Sequence, residues 1–291
     1  MSDDAPPEPP PPAIARAALV LVSTPIGNLT DLSPRARDEL ANADLILCED
    51  TRHTAHLLTA FGIHARTQPL HEHNEDARVP AVLAAIQAGQ RVVLVSDAGT
   101  PVVSDPGYRL VRAAIEAGLP VTAIPGPNAA LTALILSGLP PQPFLFLGFP
   151  PPRQAARRAA FARLRAAEQT GLSATLVWYE APHRLIQTLQ DLADAFGDRP
   201  AAVARELTKR FEEVRRGTPD ELAAHYASEP ARGEITVVLG PSPFTNNTSD
   251  LDQQLRLALE HHSLRDAAAL VATATGLPRK LVYARALELV A

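Results

Sequence analysis

Arg91-Val-Val-Leu-Val95 is a short β-branched run with the composition of a buried parallel strand, and the stretch after it, Ser96-Asp-Ala-Gly-Thr-Pro-Val-Val-Ser-Asp-Pro-Gly107, does not extend it. From Tyr108 to Ala117, apolar residues at Leu110, Val111, Ala114 and Ile115 have helical spacing. Strand, polar loop, helix is the unit of an open α/β sheet, in which such loops lie at the carboxyl ends of strands where small ligands bind. Gly99 and Gly107 let backbone approach a ligand, Pro101 and Pro106 stiffen the loop, and Asp97 and Asp105 offer acceptors to a ribose or an amine. The Asp-Pro-Gly stretch serves equally as a turn and helix cap, so the loop alone leaves both readings open.

The same unit recurs along the chain. Strands are expected at Ala17 to Val22, Asp44 to Cys48, Arg66 to Leu70, Arg91 to Val95 and Val121 to Ile124, with helices between them; Ser33-Pro34 starts one and Asn128 another. About five strands alternating with helices predict a mostly parallel sheet covered on both faces. Gly138-Leu-Pro-Pro-Gln-Pro143 marks a boundary. A second α/β unit follows, with strands at Phe144 to Leu147, Ala174 to Tyr179, Ala201 to Arg205 and Glu234 to Leu239, an arginine-rich helix after Pro150 to Arg153, and a helix from His183 to Phe196. After a polar linker come two or three amphipathic helices, whose break at Thr275-Gly-Leu-Pro278 resembles a helix-turn-helix corner. The expected organisation is thus a disordered proline-rich tail (1–16), two α/β domains (17–140 and 141–242) and a helical domain (250–291).

Composition narrows the function classes. The longest apolar runs are too short for a transmembrane helix, and the acidic, proline-rich N-terminus lacks the regions of a signal peptide. A single cysteine, Cys48, excludes an internal disulfide and a cysteine-built zinc site. Together these features predict a cytoplasmic protein. A net charge of -5 argues against a body that binds nucleic acid generally, while leaving room for a local basic face. The sequence has no P-loop, no G-x-G-x-x-G and no G-x-S-x-G. His71-Glu-His73 lacks the H-E-x-x-H spacing, and no metal site is expected. Seven polar clusters remain, each read as following a strand: Thr24 to Asn28, Glu49 to His53, the Asp97 loop, Pro125 to Asn128, Tyr179 to Arg184, Arg205 to Lys209, and Arg232 to Ile235. Their number predicts two sheets whose carboxyl edges face one cleft.

These clusters carry a resemblance. Thr24-Pro-Ile-Gly-Asn-Leu29, Glu49-Asp-Thr-Arg-His-Thr54, His71-Glu-His-Asn-Glu75, Ser96-Asp-Ala-Gly-Thr-Pro101 with Asp105-Pro-Gly107, Pro125-Gly-Pro127, Tyr179-Glu180 with His183-Arg184, and Ala204-Arg-Glu-Leu-Thr-Lys209 resemble the ribosomal RNA small-subunit methyltransferase I family. That family is the RNA-directed branch of the tetrapyrrole-methylase (class III methyltransferase) superfamily. The resemblance runs from Leu19 to about Leu239, and the helical tail is similar to the family's C-terminal domain. It implies methyl transfer from S-adenosylmethionine to a cytidine ribose 2′-hydroxyl in small-subunit (16S) ribosomal RNA. A homodimer of two α/β domains, with the cofactor in the cleft between them, is implied as well. A superfamily enzyme methylating a tetrapyrrole or a protein stays open on the residues alone, as does a non-catalytic RNA-binding assembly factor.

The expected roles follow. A sulfonium already activates the methyl group, so the enzyme has mainly to align the displacement and ease loss of the hydroxyl proton. Glu49 or Asp50 is expected to accept that proton, with Arg52 or Lys209 orienting ribose or phosphate; the alternative is that Glu49 pairs with Arg52 and fixes the loop. Asp97, Ala98, Gly99, Thr100 and Ser104 are expected to hold the methionine and ribose portions of the cofactor, Tyr179, Gly233, Glu234 and Ile235 its adenine, and Thr24, Pro25 and Gly27 the cleft floor. RNA contacts are expected at His53, Arg153, Arg157, Arg158, Arg184 and Arg210. Arg153 to Arg165 supplies five positive charges in thirteen residues with no acid among them. The overall acidity points to RNA recognised on an assembled particle, and no membrane partner is expected.

Overall fold

The computed structural model describes residues 18–242, 248–275 and 277–290. The proline-rich segment read at 1–16, residues 243–247 of the linker and Gly276 of the helical corner lie outside the described residues. The first half runs β1 (Ala18–Val22), α1 (Pro34–Ala41), β2 (Leu45–Cys48), α2 (Thr51–Ala60), β3 (Thr67–Pro69), α3 (Glu75–Gln87), β4 (Arg91–Val95), α4 (Tyr108–Glu116), β5 (Val121–Ile124) and α5 (Ala129–Ser137). Its five strands are parallel in the order β3-β2-β4-β1-β5. The strands read as continuous apolar runs because both faces are covered. Val20, Val22, Ile46, Val93 and Val95 face one core, while Leu19, Leu45, Leu47, Val92 and Leu94 alternate into the other. Helix starts follow cap chemistry: the side chains of Ser33, Asp50 and Asn128 accept from the first-turn amides of α1, α2 and α5.

The second half runs β6 (Phe144–Phe146), α6 (Gln154–Gln169), β7 (Thr175–Glu180), α7 (Leu185–Phe196), β8 (Ala201–Arg205), β9 (Glu213–Gly217), α8 (Pro219–Ser228) and β10 (Ile235–Leu239). The sheet order is β6-β7-β10-β8-β9, with β6 parallel to β7 and β10 antiparallel to both β7 and β8. Two elements escape the hydrophobic pattern. β9 is the charged stretch Glu-Val-Arg-Arg-Gly, and it forms a strand because it pairs antiparallel with β8 at the sheet edge, where its charges find partners. α8 carries a capping box between Thr218 and Glu221.

This mixed topology places the site. Arg232 to Ile235 precedes β10 rather than following a strand; because β10 is antiparallel, its start lies where β7 and β8 end, with Ile235 opposite Glu180 and Arg205. One face of the second sheet packs on α6, α7 and α8, burying Phe161, Trp178, Leu189 and Tyr226. The other face receives α5 from the first half, with Ala130, Ala133 and Leu134 against Val177, Ala202 and Val238. Ile26 and Leu207 join that core, so the two sheets meet across an apolar seam beneath their loops. Beyond it, α9 (Thr248–Leu259), α10 (Leu264–Thr275) and α11 (Arg279–Val290) pack on one another through Leu255, Ala268, Val271, Val282 and Ala286. Arg285 bridges α11 to Asp252 with two hydrogen bonds of 2.7 Å. Among the described residues no helix is long and apolar enough to cross a membrane.

Candidate active site

Four loops at the carboxyl edge of the first sheet are tied together. Thr24 and Gly99 exchange backbone hydrogen bonds of 2.9 and 3.1 Å, and the buried Thr24 hydroxyl donates to the Ser96 carbonyl. Thr100 donates to the Pro127 carbonyl at 3.2 Å, linking the β4 loop to the β5 loop. The Asp97 carboxylate accepts from the Asp50 amide at 3.2 Å, which adds the β2 loop. Inside this frame Val102 and Ser104 hold φ of 73° and 67°, conformations that cost a β-branched or other non-glycine residue free energy and persist where the surroundings impose them.

The frame borders a cleft of about 390 Å³, within the size range of small-ligand sites. One wall is the β4 loop, with Asp97, Ala98, Thr100, Val103, Ser104 and Asp105; the opposite wall holds Tyr179 to Pro182 and Gly233 to Thr236. Ile26, Phe149 and Leu207 add apolar surface. Burial, and then the carboxylates of Glu49 and Asp97, push the Asp105 carboxyl up to about 6. Glu49 is raised too, by desolvation first and then by Asp97 and Glu72. One end of the cleft is therefore short of positive charge. Tyr179 packs edge-on to Phe146 at 4.8 Å and beside Phe149 at 5.6 Å, and burial raises its hydroxyl.

A second cavity of about 320 Å³ adjoins the first, sharing Ile26, Asp97, Ala98 and Glu234 with it. Its other lining includes Thr24, Pro25, Gly27, His53, His56 and Lys209. The Lys209 ammonium donates to Glu206 at 2.9 Å and to Glu234 at 3.1 Å. Burial alone would lower its pKa; the two carboxylates outweigh that and raise it, so the group stays charged. Two glycines make room for this cation. A Cβ on Gly27 would lie 2.4 Å from Lys209 Cγ, and one on Gly233, at φ +81°, would lie 2.0 Å from Glu206 Oε1.

The expected residues separate into groups. Asp97, Ala98, Thr100, Ser104, Tyr179, Gly233, Glu234 and Ile235 line the larger cleft, while Gly99 supports it from behind through Thr24. Thr24, Pro25 and Gly27 line the second cavity instead of the floor of the first, in company with His53 and Lys209. Glu49, Asp50 and Arg52 line neither. Asp50 is the cap of α2 and pairs with Arg52; hydrogen bonds from the Arg52 side chain and amide hold its carboxyl down at about 2. That also corrects the alternative pairing: Arg52 meets Asp50, not Glu49. His71 to Glu75 is a structural latch, with Asn74 organising the loop and the buried Glu75 accepting from the Leu110 amide at the start of α4.

The arginine-rich helix needs correction. Arg157 is fully buried and paired with the equally buried Asp191 at 2.7 Å, so it presents no surface to RNA. Arg158 remains half exposed, but its guanidinium is divided between Asp191 and Asp194. Arg184 is drawn inward by Glu180 and the Pro150 carbonyl. The acids that meet Arg157 and Arg158 come from α7, beyond the reach of a local charge count, whereas Arg165 lies 3.5 Å from Glu168 of α6 itself. Arg153 and Arg210 stay exposed. Sequence reasoning passed over Phe149, His56, Leu207 and Glu206. His56 lies three residues after His53, one helical turn on the same face of α2, and that spacing was a usable signal.

Residues 18–223 match the tetrapyrrole (corrin/porphyrin) methylases, and residues 245–290 match the RsmI C-terminal HTH domain. The ribosomal RNA small subunit methyltransferase I of Mesorhizobium japonicum is 46% identical over 275 residues, covering 94% of this chain and 92% of its own. This chain belongs to that family. Another member, from Escherichia coli O157:H7, is 41% identical over 279 residues, covering 94% and 96% of the two chains. Among solved structures, diphthine synthase superposes with a TM-score of 0.58 at 15% identity, covering 77% of this chain and 89% of its own. The uroporphyrin-III C-methyltransferase of Thermus thermophilus complexed with S-adenyl homocysteine gives 0.53 at 19% identity, covering 77% and 96%. At such identities these structures speak for the shared fold, which in the methyltransferase I family carries the extra C-terminal helices.

Proposed function

We propose that this chain transfers a methyl group from S-adenosylmethionine to the ribose 2′-hydroxyl of a cytidine in small-subunit ribosomal RNA. The observation that carries the reading, beside family membership, is the pair of adjoining cavities that share Ile26, Asp97, Ala98 and Glu234. A methyl transferase needs two ligands meeting in line, and this is a two-chamber site with one common wall. The larger cleft fits the cofactor: carboxylates at one end suit its cationic methionine part, and Ile26, Phe149, Tyr179 and Leu207 suit its adenosine. When bound, S-adenosylmethionine supplies a methyl group already activated by the sulfonium.

The chain's own residues then have three tasks. Asp97, Asp105 and the backbone of Gly233 to Ile235 hold and orient the cofactor. Lys209, fixed by Glu206 and Glu234 at the second cavity, holds the acceptor nucleotide and favours negative charge developing on its oxygen. Glu49 lines neither cavity but neighbours Asp97 on their shared wall, and with its proton affinity raised it receives the hydroxyl proton through one intervening water; Asp50, held at about 2 and occupied as a cap, does not. His53 and Arg210 meet the RNA nearby. The acceptor is the assembled small subunit rather than free strand, in keeping with the net charge of -5, and the working form is a homodimer.

The decisive experiment supplies labelled S-adenosylmethionine and small ribosomal subunits lacking the modification, then digests the RNA to nucleosides for mass spectrometry. The expected product is 2′-O-methylated cytidine. Cofactor binding with no label in RNA refutes the proposal and returns the acceptor to a tetrapyrrole or a protein.

A further inference from the structure

The turn joining β8 to β9 is fixed at two points and bare at a third. Leu207 is buried in the seam between the sheets and lines the larger cleft. Lys209 reaches the second cavity. Phe211, two residues further and so at most about 7 Å from Lys209 between Cα atoms, is 66% exposed. The Arg210 guanidinium lies 5.5 Å from the Phe211 ring centroid, in cation-π contact.

The turn is rigid. Glu206 and Thr208 hold positive φ of 50° and 66°. The Thr208 amide donates to the Glu212 carboxylate at 2.6 Å, and the Lys209 and Glu212 amides close turns onto Glu206 and Lys209. The acids around it are committed: Glu206 and Glu234 to Lys209, Glu213 to Arg205 and Arg215, Glu212 to the Thr208 amide. Among the described residues no carboxylate pairs with Arg210. A large apolar ring kept in water on a braced turn beside a cation costs free energy unless something covers it.

Resting on the methyl-transfer reading above, we propose that Phe211, with Arg210, is a stacking platform for an unpaired RNA base next to the acceptor nucleotide. To bring a ribose hydroxyl into the second cavity the RNA must open locally, and a neighbouring base then loses its stacking partner. An aromatic face with an adjacent guanidinium replaces that partner without reading base identity, while the guanidinium offsets the flanking phosphate. Phe211 is in this sense a positioning residue, acting on the substrate's entry rather than on the reacting atoms.

The test compares wild type with Phe211→Leu, Phe211→Trp and Arg210→Gln in methyl transfer to small subunits, alongside cofactor binding and sedimentation of each protein. Phe211→Leu is expected to raise KM for subunits, lowering kcat/KM by about fivefold or more, since stacking on one base is worth that factor at least. Its affinity for S-adenosylmethionine is expected to stay unchanged. Phe211→Trp should restore activity, and Arg210→Gln should flatten the salt dependence of subunit binding by roughly one charge. Phe211→Leu within twofold of wild type overturns the inference, as does a loss that Trp does not rescue. A loss that coincides with a change in sedimenting mass assigns the ring to a second copy of the chain and equally overturns it. If the wild-type protein itself puts no methyl on RNA, the underlying reading fails first.

Discussion

If Asp105 faces the cationic end of the cofactor as proposed, cofactor affinity depends on pH in a way that can be worked out in advance. In the free protein its carboxyl sits at about 6, raised from 3.8 by burial and by Glu49 and Asp97. At pH 5 roughly nine-tenths of it is protonated, and at pH 7 about a tenth. A bound ligand with a sulfonium and an ammonium favours the charged form and draws the pKa back toward its ordinary value. If it returns fully, binding at pH 7 exceeds binding at pH 5 by about tenfold; if partial exposure and screening leave it near 5, the factor is about five. The same linkage requires proton release on binding at pH 5, between about 0.4 and 0.9 per site. Titration calorimetry of S-adenosylmethionine at both pH values, in buffers of different ionisation enthalpy, measures affinity and protons together. Asp105→Asn is expected to remove most of the slope. An affinity that is flat from pH 5 to 7, or an equal slope in Asp105→Asn, refutes the placement of the cationic end of the cofactor beside this carboxylate.

Without ligand the same group weakens the fold. Because its pKa is raised, the stability belonging to the protonated carboxyl is complete below 3.8 and lost as pH rises through about 6. The full shift would be worth about 3 kcal/mol, which solvent exposure reduces to about 1, so Asp105→Asn should stabilise the apoprotein by about 1 kcal/mol at pH 7 and leave it unchanged at pH 3.5 in urea melts. Glu49→Gln is expected to slow methyl transfer about 100-fold, whereas Asp50→Asn keeps a good helix cap and most of the activity; single-turnover rates with circular dichroism as the folding control distinguish the two. Asp191→Ala strands the buried Arg157 charge and should cost about 3–5 kcal/mol in denaturant unfolding. Gly107→Ala forces φ of +121° on alanine and sets its Cβ 2.5 Å from Leu94 Cδ2, for an expected loss of about 2 kcal/mol or more. Gly62→Ala, at φ +65° in open space, should cost about 1 kcal/mol and serves as the comparison.

What the sequence made legible is what is encoded over a few residues. Apolar runs such as Arg91 to Val95 announce buried strands, Ser33-Pro34 and Asn128 announce helix starts, and the glycines of the Asp97 loop announce backbone that must turn tightly. All of these depend on local backbone chemistry, and all stand in the fold. Pairings between distant segments are a different matter. Arg157 meets Asp191 across 34 residues and Arg91 meets Glu39 across 52, distances over which only the topology decides who is neighbour to whom. A charge count along α6 therefore overstates its basic surface, because the acids come from the next helix. The same limit hid β9, whose reason for being a strand is the edge of β8.

The consequence reaches function. With Arg157 buried and Arg158 divided between two acids, α6 loses part of the cationic face that its composition advertises, and Arg184, before α7, is turned inward as well. Arg210, next in the chain to Lys209 of the second cavity, is a cation without a carboxylate partner, with the aromatic ring of Phe211 beside it and His53 and His56 lining the cavity, while Arg153 and Arg163 stay exposed on the side of α6. An acidic protein that binds RNA needs its few free positive charges close to the reacting site, since long-range attraction is weak and screened within about 8–10 Å. With a net charge of -5 the long-range attraction to RNA is small, so the charges beside the cavity act locally, on where the hydroxyl is presented.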